Sequence, residues 1–204
     1  PATGAALPAV PNHSDADVDA FFGAARQAQK LWKQDSFSER AKCIKKVQRY
    51  LAANCDRAAE IVSAATGKTR MDAMATEVIP CVLACDWYAD NTAKVLKKQG
   101  LPCGNILFAN KSNTLEYSPL GVVGIISPWN YPLSIPFGEV IMGLMAGNAI
   151  LLKCAQQTTT VGCFIAECLA AGELPSGLFQ HVVMSGSKVS KAFMHHDVDK
   201  IFFT

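Results

Sequence analysis

Three short stretches of this chain place side chains capable of chemistry where elements should end. In Ile125-Ile126-Ser127-Pro128-Trp129-Asn130-Tyr131-Pro132 an apolar run stops at Ser127, and two prolines hold the following turn stiff around Asn130. A side-chain amide held this way is a good donor to a developing oxyanion, because it is preorganised and needs no charge of its own. In Leu151-Leu152-Lys153-Cys154-Ala155-Gln156 an ammonium leaves the end of a second apolar run, with an amide three residues on. Such a pair suits the hydroxyls of a ribose. Gly186-Ser187-Lys188 marks a turn from strand into helix, with one glycine where a GxGxxG loop needs three. Taken singly, each stretch also fits a plainer role: a turn asparagine, a lysine snorkelling at a sheet edge, a lone turn glycine. No HExxH, GxSxG, GxxxxGK or DxDxDG string occurs.

The elements that must position these residues change character along the chain. Residues 1–13, rich in Ala and Pro, read as a loose arm. A helix capped by Ser14 or Asp15 follows, with Val18, Phe21, Phe22, Ala25, Ala28 and Trp32 on one stripe. Ser36-Phe37-Ser38-Glu39 is a capping box, and the stripe Ile44, Val47, Leu51, Cys55, Ala58, Ile61/Val62 runs from it to a stop at Gly67. Met71 to about Leu96 reads as a long helix or a pair, broken at Pro80. Residues 17–96 are therefore mostly helical. The period then shortens. Asn105–Ala109, a polar turn Asn110–Asn113 and Thr114–Tyr117 read as strand, turn, strand.

From Gly121 onward, apolar strands at 122–126, 149–152, 179–183 and 200–203 alternate with helices at 136–145, 159–171 and 188–195. Continuous apolar strands separated by helices predict an α/β fold with a parallel sheet covered on both faces. Ligands of such sheets bind at the carboxyl ends of the strands, where Asn130, Lys153 and Gly186 fall.

Composition bounds the rest. The chain has 204 residues, 50% of them hydrophobic and 18% charged, enough for one sizeable core and at most a small appendage. A net charge of +2, without Lys/Arg runs beyond pairs, argues against nucleic acid as a partner. The longest apolar stretch, Val140–Leu152, is interrupted and too short to span a membrane. The first residues read as carrying no export signal. None of the eight cysteines forms a CxxC or has histidines at zinc-ligand spacing, so buried free thiols and a cytoplasmic location are expected.

Four motifs, in order and spacing, resemble one family. Pro119–Pro132 (PLGVVGIISPWNYP) is similar to the aldehyde dehydrogenase segment PLGVVGxIxPWN(F/Y)P. Ala146-Gly147-Asn148-Ala149 followed by Leu152-Lys153 resembles its AGNxxxxKPSE, Ala171–Gly177 its AGxPxG turn with one extra residue before the proline, and Ile201–Thr204 the start of its FTGS. The likeness is strongest over residues 115–204 and looser over the helical first hundred. It implies a Rossmann-like parallel sheet, preceded by a helical segment and carrying a β-hairpin oligomerisation arm. The activity implied is oxidation of an aldehyde to a carboxylic acid with NAD or NADP, through a cysteine thiohemiacetal and thioester. By the same resemblance Asn130 is the oxyanion donor. Lys153 and Gln156 meet the adenosine ribose, Ile126, Ser127, Pro128 and Trp129 line the cofactor, and Gly186 lies beside it. Gln156 stands where the family has glutamate, which removes a charge that would repel a 2′-phosphate, and Lys188 is a candidate second cation for that phosphate. The intact enzyme is expected to be a homodimer or homotetramer.

The family's nucleophile lies in a GQxC string and its general base in ELGG, and residues 1–204 contain neither. None of the eight cysteines is assigned as nucleophile, and Glu139, Glu167 and Glu173 read as surface or packing residues. The chain thus reads as a fragment that is inactive by itself: residues 1–103 helical, 104–120 the hairpin, 121–204 a truncated cofactor-binding core, with the catalytic domain absent. Two other roles fit parts of the pattern. One is a non-catalytic nucleotide-binding or scaffolding paralogue. The other is a thiol-dependent reductase of acyl phosphates or acyl-CoA, which the PWNYP string disfavours.

Overall fold

The computed structural model of the chain describes residues 4, 6–108, 110–196 and 198–204. Ser14 opens helix α1 (Asp15–Trp32) with a capping box: its hydroxyl accepts the Asp17 N–H while the Asp17 carboxylate accepts the Ser14 N–H at 2.8 Å. Ser36 and Glu39 repeat the device at α2 (Phe37–Ala53), as the sequence predicts. The stripe from Ile44 to Val62 is carried by two helices rather than one. Asn54 leaves helical geometry (φ −116°, ψ 23°) and its side chain donates back to the Tyr50 carbonyl at 2.8 Å, so α3 (Cys55–Thr66) starts afresh. Next come α4 (Arg70–Ala73), a π-helical turn at Met74–Val78 and α5 (Ile79–Val95). The irregularity therefore precedes Pro80, which sits in the first turn of α5 where a missing N–H costs little.

The hairpin pairs strands other than those expected. Strand β1 (Gln99–Leu101) runs antiparallel to β2 (Asn113–Leu115), whereas Ile106–Phe108 is a 3-10 turn and Ala109 lies outside the described residues. The Asn105 side chain accepts the Leu107 N–H at 2.9 Å, which curls the segment before it can extend.

The second sheet is all parallel: β3 (Val122–Ile126), β4 (Ala149–Lys153), β5 (Phe179–His181) and β6 (Lys200–Phe203), in the order β5-β4-β3-β6. β3 and β6 end as expected, and β4 runs one residue further. β5 ends at His181, short of Val183, and beyond it the amino-terminal arm bonds the outer edge of the same segment: Val183 N–H donates to His13 Nδ1 at 3.0 Å, and His13 N–H to the Val183 carbonyl at 2.8 Å. The arm is thus tied down at its end. Between the strands lie α6 (Ser134–Met145), α7 (Thr159–Ala170) and α8 (Gly186–His195), the last beginning two residues before the expected start. With right-handed crossovers, a strand order that turns back past β3 puts α6 and α7 on one face and α8 on the other. α1 packs with α8, where the Phe22 ring meets Phe193 edge-on at 5.9 Å and stacks on His196 at 4.3 Å.

Long polar side chains fix the ends of α6. Buried Arg40 donates to the carbonyls of Met145 (2.9 Å) and Lys33 (3.1 Å), while Trp32 Nε1 donates to the Leu144 carbonyl at 2.8 Å. Gly147, at φ 90°, then turns the chain tightly under Pro119, and buried Asn148 accepts the Gly121 N–H at 3.0 Å while donating to the Gly143 carbonyl. The Ala146-Gly147-Asn148 motif is therefore a joint between α6 and the starts of β3 and β4.

Among the described residues no disulfide joins the eight cysteines, of which Cys81, Cys85, Cys154 and Cys168 are buried. Cys163, expected inside, is exposed, because its position on α7 faces away from the sheet side taken by Phe164, Ile165 and Cys168. Among the described residues no helix is long and apolar enough to cross a membrane, and no group of three or more potential ligands could hold a metal.

Candidate active site

The register of the sheet brings the chemistry-bearing residues together. Ile126 pairs with Lys153, the Ser127 N–H donates to the Lys153 carbonyl at 3.0 Å, and the Thr204 N–H donates to the Ile126 carbonyl at 3.2 Å. Three strand ends and the start of α8 thereby border an open cavity of about 550 Å³. Ile126, Ser127, Pro128, Trp129, Lys153, Gln156 and Gly186, singled out from sequence, all line it. Gln157, Ser190, Phe203 and Thr204 line it as well. Ser190 was legible as the residue one turn beyond Gly186, and Phe203-Thr204 as the end of a further parallel strand.

Lys153 is only 9% exposed, and among the described residues its ammonium has no hydrogen bond or ion pair. Its stem is buried and its ammonium opens onto the cavity wall, where a polar or anionic occupant would find an unengaged donor. Gln156 and Gln157 are exposed in the 3-10 turn Gln156–Thr158. Gly186 opens α8 with no neighbour within 4 Å of where a Cβ would stand, and among the described residues no side chain caps that helix. Its first N–H groups are left for solvent or a bound oxygen. Lys188 does not belong to this cavity. It lines a separate groove between α8 and α1, with Lys191, Asp15 and Asp19, because the helix turns its side chain to the opposite flank.

Asn130 follows the cavity-lining Trp129 but does not itself line the cavity. It is exposed, and its Oδ1 accepts the Tyr131 N–H at 3.1 Å. With the oxygen engaged, the amide's NH₂ is the end that points away, and among the described residues it has no acceptor.

Sequence reasoning missed what holds this turn. Glu77, fully buried in the π-helical turn, accepts the Leu133 N–H at 2.8 Å and the Ser134 N–H at 3.3 Å, and pairs with Lys68 at 2.5 Å. The Lys68 ammonium also sits 3.8 Å over the Tyr131 ring. A glutamate inside the apolar pattern Ala73, Val78, Cys81 was the available signal.

The other candidates behave as packing groups. Glu167 is paired with Arg57 and accepts from Tyr50, and Glu173, held at φ 54° as the extra residue of its turn, pairs with Lys46. Glu139 is half-buried, which raises its carboxyl above the usual range, and accepts the Thr204 hydroxyl at 2.8 Å. Cys154, next in sequence to the cavity's Lys153, is pushed up to about 12 by burial, which keeps it protonated and unreactive.

An open parallel sheet whose strand order reverses beside β3, with a crevice at that carboxyl edge, defines a doubly wound α/β framework. The chain belongs to the aldehyde dehydrogenase family, whose model matches residues 1–204. A Mycobacterium ulcerans protein, provisionally named succinate-semialdehyde dehydrogenase (NADP(+)) 2, is 35% identical over 202 residues, covering 99% of this chain and 38% of the relative. A 4,4'-diapolycopene aldehyde oxidase from a Methylomonas species is 31% identical over 180 residues, which is 88% of this chain and 34% of that protein. The structure of an NAD+ complex of aldehyde dehydrogenase from Bacillus cereus superposes with a TM-score of 0.85 at 29% identity, over 94% of this chain and 39% of that one. The chain thus spans under two fifths of the length of these relatives.

Proposed function

We propose that this chain forms the cofactor-holding part of an NAD(P)-dependent aldehyde dehydrogenase and contributes its oxyanion donor. The reading is carried by one juxtaposition. The ammonium of a nearly buried lysine faces the strand-end cavity without a partner among the described residues, and directly after that cavity's Trp129 stands an asparagine amide with its oxygen tied and its donors free. Lys153 and Gln156 would hold the adenosine ribose, while Ile126 to Trp129 and the start of α8 would flank the rest of the nucleotide. The nicotinamide, when bound, supplies the hydride acceptor. Relatives named for NADP(+) and solved with NAD+ agree with either cofactor. In the reaction, a thiolate from a GQxC segment outside residues 1–204 would add to the aldehyde carbon. The Asn130 NH₂ would then donate to the oxygen as negative charge gathers there. A neutral, prealigned donor stabilises that charge without reorganising and without first binding the substrate tightly. The hairpin, which leaves Leu101, Ile106, Leu107 and Leu115 exposed, would serve as an arm for a homodimer or homotetramer.

The test is Asn130→Ala in the full-length enzyme that contains this chain. kcat should fall roughly a hundred- to a thousandfold, the usual loss for one oxyanion donor, with cofactor affinity little changed. An unaltered kcat with weakened cofactor binding would make Asn130 a turn residue only.

A further inference from the structure

We propose that Glu77, together with Lys68, is a positioning residue for the Asn130 amide. The proposal rests on the reading of Asn130 as an oxyanion donor and adds the device that aims it. Asn130 is exposed, so no packing wall sets its orientation. What constrains it is the backbone that follows, and both constraints there lead to one buried carboxylate. On the helix side, α6 begins after Leu133, which has no capping side chain, and its first amides need an acceptor. Glu77 Oε2 supplies it from another part of the chain, at 2.8 Å to Leu133 N–H and 3.3 Å to Ser134 N–H. On the turn side, Glu77 Oε1 holds the Lys68 ammonium at 2.5 Å, and that ammonium lies 3.8 Å over the Tyr131 ring. Tyr131 in turn gives its N–H to Asn130 Oδ1 at 3.1 Å. The carboxylate therefore pins the residue after Asn130 through its ring, and the helix that follows through its first amides.

Two features argue that this arrangement is more than incidental packing. An ion pair built on a fully buried carboxylate is seldom the most stabilising way to fill a space, and its better-attested use is to fix one geometry among several. The residue also sits in a π-helical turn, a local departure from the α-helical ladder on either side of it. Such turns are rare and recur at functional sites, where a side chain has to be re-aimed.

Glu77→Gln, Lys68→Met, Tyr131→Phe and Tyr131→Leu should be made in the full-length enzyme, each alone and combined with Asn130→Ala. Misplacing a catalytic group by about 1 Å can cost up to a hundredfold, so Glu77→Gln and Lys68→Met are each expected to lower kcat roughly tenfold. KM for the cofactor should stay within about twofold, since the cavity wall is not touched. Tyr131→Phe, which keeps the ring under Lys68, should lose less than Tyr131→Leu. In the Asn130→Ala background the same substitutions should cost less than about twofold, because the group they aim is gone. Equal losses in both backgrounds would overturn the proposal in favour of general damage to the fold, and an unchanged kcat for Lys68→Met and Glu77→Gln would overturn it directly. Should Asn130→Ala itself leave kcat intact, the oxyanion reading fails first and the proposal falls with it. If Glu77→Gln does not fold, the partly exposed Lys68 and exposed Tyr131 variants carry the same comparison.

Discussion

On the proposed reading, replacing Gln156 by glutamate should move cofactor choice in the intact enzyme toward NAD. Gln156 and Lys153 line the same cavity, and among the described residues nothing acidic lines it with them. A 2′-phosphate on the adenosine ribose would therefore meet a neutral amide and an unpaired ammonium. The Gln156→Glu variant would set a carboxylate against that phosphate and also engage Lys153. At about 5 Å, two unit charges interact by roughly 1 kcal/mol in water and 3 kcal/mol at the effective dielectric of a protein surface. Gln156 is exposed, so the lower figure applies, multiplied by a phosphate charge of about −1.5 to −2. The product, about 1.5–2 kcal/mol, corresponds to roughly a ten- to thirtyfold fall in the ratio of kcat/KM for NADP to that for NAD. Lys188 adds nothing to this figure, since it lies in the groove beside α1. The assay is steady-state kinetics with both cofactors at two salt concentrations, with Gln156→Ala as the uncharged control. The shift should shrink at high salt, as an exposed charge pair must, and the alanine variant should move the ratio far less. A strong NAD preference in the unsubstituted enzyme that Gln156→Glu leaves unchanged would refute the reasoning.

Two further expectations concern the scaffold. Burial, with a smaller push from His13, lowers His181 to about 4, so the fold keeps it neutral where an unfolded histidine takes up a proton near 6.5. Stability should therefore be fully present above about pH 6.5 and fall as pH drops toward 4, by roughly 1–3 kcal/mol given the partial exposure of the ring; thermal melts of His181→Gln should lose less over that window, and parallel curves would count against the assignment. Gly124→Ala on β3 would bring a methyl within 2.5 Å of the Phe193 ring, so it should lower the melting temperature by an amount equivalent to about 1–3 kcal/mol, and Phe193→Leu should recover part of the loss.

Strand β3 was legible to the residue because an unbroken apolar run is bounded by Gly121 and by Pro128, and both ends are local signals. The capping box at Ser36 was legible for the same reason, whereas the cap of α1 was left open between Ser14 and Asp15 and its box with Asp17 was not read. The hairpin was not: Ile106-Leu107-Phe108 carries a strand composition, but the outcome turned on one Asn105 side chain bonding two residues on. The arm's bonds to Val183 were not legible either, because His13 lies 170 residues away. The cavity residues at strand ends could be placed, since a parallel sheet dictates that edge. Glu77 and Lys68 could not, since their effect depends on a contact across 56 residues that no period or spacing encodes.

That last contact changes the role of the helical first half. Read along the sequence, residues 15–95 look like a preface to the parallel sheet. In three dimensions they clamp α6 at both ends. Arg40 and Trp32 take the carbonyls at its carboxyl end, Gln29 donates to the Gly147 carbonyl just beyond at 3.1 Å, and Glu77 takes the amides at its amino end. α6 is twelve residues long, about 18 Å of rigid rod. Its amino end adjoins the turn that carries Asn130, and its carboxyl end leads through Gly147 and Asn148 into β4, which ends at Lys153. A helix held only by its apolar face can slide or rotate by fractions of a turn at little cost. One whose terminal amides and carbonyls are each bonded by buried side chains cannot move without leaving those groups unsatisfied, at about 1–3 kcal/mol apiece. The separation between Asn130 and Lys153, the proposed oxyanion donor and ribose contact, is thus set by helices that contribute nothing to either site directly. Substitutions at Arg40, Trp32 or Glu77 should accordingly register at the active site as well as in the stability of the fold.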